Sequence, residues 1–114
     1  MPKTPRSESH DGLRLQLCFA VAALEFGAHD LALGRPGARG PLTNFARQVA
    51  MRLAHATLGM NCTQIARLVG RDRSTVAHGC QVVEEECDDP VFAMRMDRME
   101  RAVRSLAQID AGAA

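Results

Sequence analysis

Asn61 to Cys87 reads NCTQIARLVGRDRSTVAHGCQVVEEEC. Asn61 and Gln64 stand at capping-box spacing, the first side chain accepting from a free amide and the second reaching back. Ile65, Ala66, Leu68 and Val69 then give a short first helix its apolar stripe. Gly70 stops it, since helices commonly end on a residue that tolerates positive φ. Asp72 can start the next helix, its carboxylate complementing the positive helix end. In that second helix Val76, Cys80, Val83 and Cys87 recur at i, i+4, i+7 and i+11, one buried stripe. At about 100° per residue, Ser74, His78, Gln81 and Glu85 point almost the opposite way. A helix packed below and polar above, reached through a tight turn, is a helix-turn-helix over about residues 61–87.

Downstream, Asp89-Pro90 restarts a helix with Asp as N-cap and Pro at the first position. Phe92, Met96, Met99, Val103 and Leu106 keep a helical stripe, and Asp97–Arg101 and Glu100–Arg104 are supporting i, i+4 pairs. Upstream, Thr43 or Asn44 caps a helix over roughly Phe45 to Leu58, with Ala46, Val49, Ala50 and Leu53 inward and Gly59 at its end. Its many alanines allow a neighbouring helix to come close. Gly34 to Leu42, GRPGARGPL, reads as a loop. From about Leu13 to Phe26, Leu17, Val21 and Leu24, with Cys18 and Ala22 beside them, make a first helix that Gly27 ends. Residues 1–12 and 110–114 read as tails around one domain, 13–109. The expected fold is all-α, about five helices around one core with the helix-turn-helix at its centre.

Composition narrows the function. Without Tyr or Trp, and with Phe only at 19, 26, 45 and 92, the core is Leu, Val, Ala and Met. There is no run of 18 apolar residues to cross a membrane, and Pro2 to Gly12 has no apolar signal segment, so the expected location is the cytoplasm. Cys18, Cys62, Cys80 and Cys87 form no CxxC and read as buried small hydrophobes. Cys80 and Cys87 share a face but lie about 10.5 Å apart along the helix, too far to reach one zinc ion at roughly 2.3 Å each. No metal and no other cofactor is expected. A phosphate-binding G-x-x-x-x-G-K-[ST] loop is absent, so no nucleotide is expected either, and the carboxylates after Val83 form a surface run, not an acid/base pair. The chain reads as a non-enzyme.

Net charge is only +1, but it is unevenly placed. Residues 45–81 carry Arg47, Arg52, Arg67, Arg71 and Arg73 against Asp72 alone. Residues 82–90 carry Glu84, Glu85, Glu86, Asp88 and Asp89 and no cation. The front half of this surface suits phosphates and the exit repels them.

Ala46 to Cys80, ARQVAMRLAHATLGMNCTQIARLVGRDRSTVAHGC, resembles the C-terminal DNA-binding domain of the DnaA family of bacterial replication initiators. Arg47-Gln48, Gly70-Arg71-Asp72, Ser74-Thr75-Val76, His78 and Cys80 fall on the family's motif, and a weaker likeness runs back to about Leu13. The resemblance implies double-stranded DNA as partner, at an origin or at DnaA-box-like sites. It assigns the contacts to Arg47, Gln48, Arg71, Asp72, Arg73, Ser74, Thr75 and His78, with Arg35 and Arg39 on a basic loop. Arg71 would clamp phosphate; Arg73, Ser74 and Thr75 would enter the major groove. Ala28 to Leu33 resembles a short segment of the family, with Asp30 as a cap. The ATPase module of the initiator is not in this sequence, so the implied role of a small stand-alone protein is regulation of replication initiation.

Arg73 stands where the family has His, and Phe45 where it has the Arg that enters the minor groove. The alternative is therefore a protein-binding mimic of the domain, which engages DnaA or a related regulatory AAA+ ATPase through Phe45 and the acidic exit. On its own residues Phe45 is either a hydrophobic staple or such an anchor.

Overall fold

A computed structural model describes residues 4–28 and 40–113, with side chains at 10–28 and 40–109. Five helices follow one another among these residues: α1 (Thr4–Phe26), α2 (Pro41–Leu58), α3 (Cys62–Val69), α4 (Arg73–Glu86) and α5 (Pro90–Ala113), with no strand. The all-α expectation holds. Arg35, Arg39 and Asp30, with most of the expected short segment and basic loop, lie outside the described residues.

α2 is the axis of the molecule and packs against each of the other four helices. Its inward positions Ala46, Val49, Ala50, Met51, Leu53 and Ala54 are all buried. Fully burying a side chain such as Leu53 or Val49 supplies about 1.5–3 kcal/mol each. The alanines bring α1 close, and the matching face of α1 is built from Leu15, Cys18, Ala22 and Ala23. That corrects the expected stripe: Leu24 is 79% exposed, and Leu17 and Val21 are half-buried at the edge of the core. Close helix packing selected the small residues over the larger leucines.

Helix boundaries shift outward. α1 begins at Thr4, inside the stretch read as a tail; Pro5 falls in its first turn, where a missing N–H costs nothing. α2 begins at Pro41 with Gly40 as N-cap, not at Thr43 or Asn44, because Pro41 is a good first helical residue. α5 continues to Ala113 beyond the expected end near residue 109. Along α5, Phe92, Met96, Met99 and Val103 are buried as expected. The next inward position is Ala107, 7% exposed, while Leu106 is 44% exposed, since 3.6 residues per turn favours the later position there.

Phe45 joins three helices. Its ring lies 5.7 Å from Phe26 of α1, edge to face, and 5.6 Å from Phe92 of α5, tilted. Arg95 stacks over Phe26 at 4.7 Å and donates to Glu25 Oε2 at 2.6 Å, and Arg98 donates to the same oxygen at 3.4 Å. The Phe45 ring is half-buried packing between helices, so the anchor on an open surface is not what the geometry offers.

All four cysteines are free thiols, and among the described residues no cluster of three or more His, Cys, Asp or Glu could hold a metal. Burial pushes the Cys18 thiol from 9.0 up to about 12, partly offset by a backbone hydrogen bond. The unfolded chain would ionise this thiol near pH 9.0 while the folded chain keeps it protonated. Its contribution to stability is therefore complete below pH 9 and is lost as pH rises towards 12. Thermal melts from pH 8 to 10.5 should show a fall that Cys18→Ala makes shallower. Equal slopes in both proteins would refute this.

Candidate nucleic-acid interface

The helix-turn-helix is held by local bonds that its own residues supply. His55 Nδ1–H donates to the Met60 carbonyl at 2.9 Å, fixing the exit of α2. Asn61 and Gln64 form both halves of the capping box, at 2.8 and 2.9 Å. Gly70 takes φ 70° and returns its N–H to Ala66, and Arg71 N–H follows to the same carbonyl at 3.0 Å. A non-glycine residue at Gly70 would adopt this left-handed turn only under strain. Asp72 occupies the N-cap of α4 with extended backbone, but its side chain makes no capping hydrogen bond. Its carboxylate thus stays available at the surface.

Val76, Cys80 and Val83 of α4 are buried and Cys87 is half-buried beyond it. Burial raises the Cys80 thiol to about 11, with the nearby Cys62 adding to the shift, so neither an acidic thiol nor a ready ligand faces the solvent here. Opposite, Ser74, His78, Gln81 and Glu85 are exposed. Arg71, Asp72, Arg73 and Thr75 are exposed as well, Thr75 more fully than its angle to the stripe suggests. The start of α4 therefore presents two guanidiniums, two hydroxyls and the helix's own unpaired amides on one end.

Arg47 comes near Arg71 at this end from α2. Arg47 is half-buried, and its pKa is lowered, first by desolvation and then by the charge of Arg71. Gln48, the next residue of α2, lays its aliphatic stem against α4 at Gly79.

Gly79 is a residue that sequence reasoning passed over. A Cβ placed there would stand 3.1 Å from Gln48 Cγ and 3.1 Å from Met51 Cε, so α4 lies close upon α2 at this point. A glycine inside a helix, where it costs about 1 kcal/mol against alanine, was the available signal. Gly79→Leu should destabilise the fold by about 1–2 kcal/mol and shift α4 outward. A melting temperature at or above wild type would show that the gap closes without cost.

The acidic exit is not uniform. Glu84 turns back to Arg52 of α2 at 3.1 Å and neutralises it. Glu85 faces out and accepts from Gln81 Nε2 at 3.3 Å. Arg71 and Arg73 stand exposed at the front of α4.

Comparison with known proteins adds a likeness over part of the chain. Residues 37–83 match the family described as the bacterial DnaA protein helix-turn-helix. The chromosomal replication initiator protein DnaA of Lachnoclostridium phytofermentans is 40% identical over 55 residues, which span 46% of this chain and 12% of that protein. No solved structure matches. Residues 37–83, less than half of the chain, are thus similar to the DnaA helix-turn-helix, and the described residues are helical without a strand.

Proposed function

We propose that a chain carrying the DnaA helix-turn-helix over residues 37–83 binds double-stranded DNA with the front of α4 and acts in the control of chromosome replication. The observation that carries the reading is the exposed set Arg71, Arg73, Ser74 and Thr75 at the start of a helix whose other face is buried. Arg71, with Arg47 beside it, takes phosphate; Arg73, Ser74 and Thr75 face the base edges in the major groove. His78, one turn further along, follows the groove. Asp72 holds the approach of Arg71 and Arg73 by its charge. The basic loop residues Arg35 and Arg39 belong to the same proposal. The protein acts as a binder and not as a catalyst, competing for sites that an initiator uses, in the cytoplasm at the nucleoid.

Fluorescence anisotropy on a duplex bearing a DnaA box and on a scrambled duplex, each at two salt concentrations, tests this. Tighter binding to the box, with affinity falling linearly in the logarithm of salt, is the expected result. Absence of duplex binding at low salt would remove the reading.

A second reading is favoured by the acidic run Glu84 to Asp89 at the exit of α4. In it the chain engages DnaA or a regulatory AAA+ ATPase as a mimic of the domain. Pull-down of a DnaA-type ATPase by a protein that ignores duplex DNA is the outcome that would prefer it.

A further inference from the structure

Resting on the DNA-binding reading, we propose that Gln81 reads an adenine in the major groove and that Glu85 is its positioning residue. Gln81 lies on the same exposed face as Ser74 and His78, seven residues beyond Ser74. Along an α-helix that separation is about 10.5 Å, and three base-pair steps at 3.4 Å cover about the same distance. The face therefore continues past the arginine-rich start of α4 by roughly three base pairs.

The amide is not left to rotate. Its Nε2 donates to Glu85 Oε2 at 3.3 Å, one turn further along the helix. One Nε2 hydrogen is thereby committed, which leaves Oε1 as acceptor and the second hydrogen as donor. That pair is complementary to adenine N6–H and N7, which a glutamine addresses in a bidentate manner. Glu85 has no ion pair among the described residues, whereas its neighbour Glu84 is neutralised by Arg52. An uncompensated carboxylate on the DNA-facing side repels phosphate wherever the helix is placed. It therefore weakens every duplex that does not repay it with the Gln81 contact, and acts on specificity more than on affinity.

The test is selection from a random duplex library by the wild type, Gln81→Ala, Glu85→Ala and Glu85→Gln, with thermal melting of each. The wild type should select an adenine about three base pairs from the position most sensitive to Arg73→Ala. Gln81→Ala should lower that preference about ten-fold, leaving other positions and the melting temperature unchanged. Glu85→Ala should lower the same preference while raising affinity for a scrambled duplex several-fold. Glu85→Gln, which keeps an acceptor for Gln81 but drops the charge, should retain the preference and still raise scrambled binding. A merely structural Glu85 would not move these two quantities in opposite directions. If Gln81→Ala and Glu85→Ala select the wild-type sequence unchanged, the proposal falls while DNA binding stands. If the wild type enriches no duplex at all, the DNA reading falls and takes this inference with it.

Discussion

Phe45→Ala is expected to lower the melting temperature by roughly 10 °C, corresponding to about 2–3 kcal/mol. The ring contacts Phe26 and Phe92 at 5.7 and 5.6 Å, so its loss opens a gap where α1, α2 and α5 meet. Aromatic pairs of this geometry contribute about 0.5–1.5 kcal/mol each beyond the area they bury. Phe45→Leu, which keeps part of the volume, should lose less than half as much. Phe45→Arg would set a guanidinium between two rings beside Arg95, which is already stacked on Phe26. That variant should be less stable than wild type, so minor-groove contact is not recovered at this position by a single exchange. Circular dichroism melts decide the matter. A shift under about 2 °C for Phe45→Ala would return the ring to the surface as a candidate protein anchor.

The second large effect falls on DNA. Removing Arg71 and Arg73 together should cost about 2–4 kcal/mol of duplex affinity, roughly 30-fold to 1000-fold. The single variants should part company. Arg71→Ala, assigned to phosphate, should weaken box and scrambled duplexes alike and reduce the salt slope by about one. Arg73→Ala, assigned to a base edge, should weaken the box by about 1–3 kcal/mol and leave the scrambled duplex nearly unaffected. Sequence-selective loss from Arg71→Ala, or uniform loss from Arg73→Ala, would exchange their roles.

Local signals carried most of the helix-turn-helix. The capping box, the Gly70 turn and the Val76–Cys80–Val83 stripe each depend on residues within one or two turns, and each is found in the structure. What the sequence concealed is long-range. The burial of Ala22 and Ala23 in preference to Leu24 depends on how close α2 comes, and that distance is set by alanines more than 20 residues away. Gly79 had a visible helix penalty but no visible partner until Gln48 and Met51 were placed against it. Phe45 was legible as apolar, yet its contacts with Phe26 and Phe92 arise only where three helices meet. Of the motif residues, Arg71, Asp72, Arg73, Ser74, Thr75 and His78 are exposed, while Arg47 and Gln48 on α2 are half-buried.

The unused carboxylate of Asp72 has a consequence for amide hydrogen exchange. No side chain caps the first turn of α4. The first N–H groups of any helix lack intrahelical acceptors, so those of Arg73, Ser74 and Thr75 are open to water. Their deuterium uptake should be fast in the free protein, while the Gln64 amide, held by Asn61 at 2.8 Å in the neighbouring helix, exchanges more slowly. A phosphate seated on the front of α4 would slow the fast set and leave Gln64 unchanged. The protein thus carries a built-in reporter of docking that needs no substitution and no label, and its silence on adding duplex would speak against a helix-start contact.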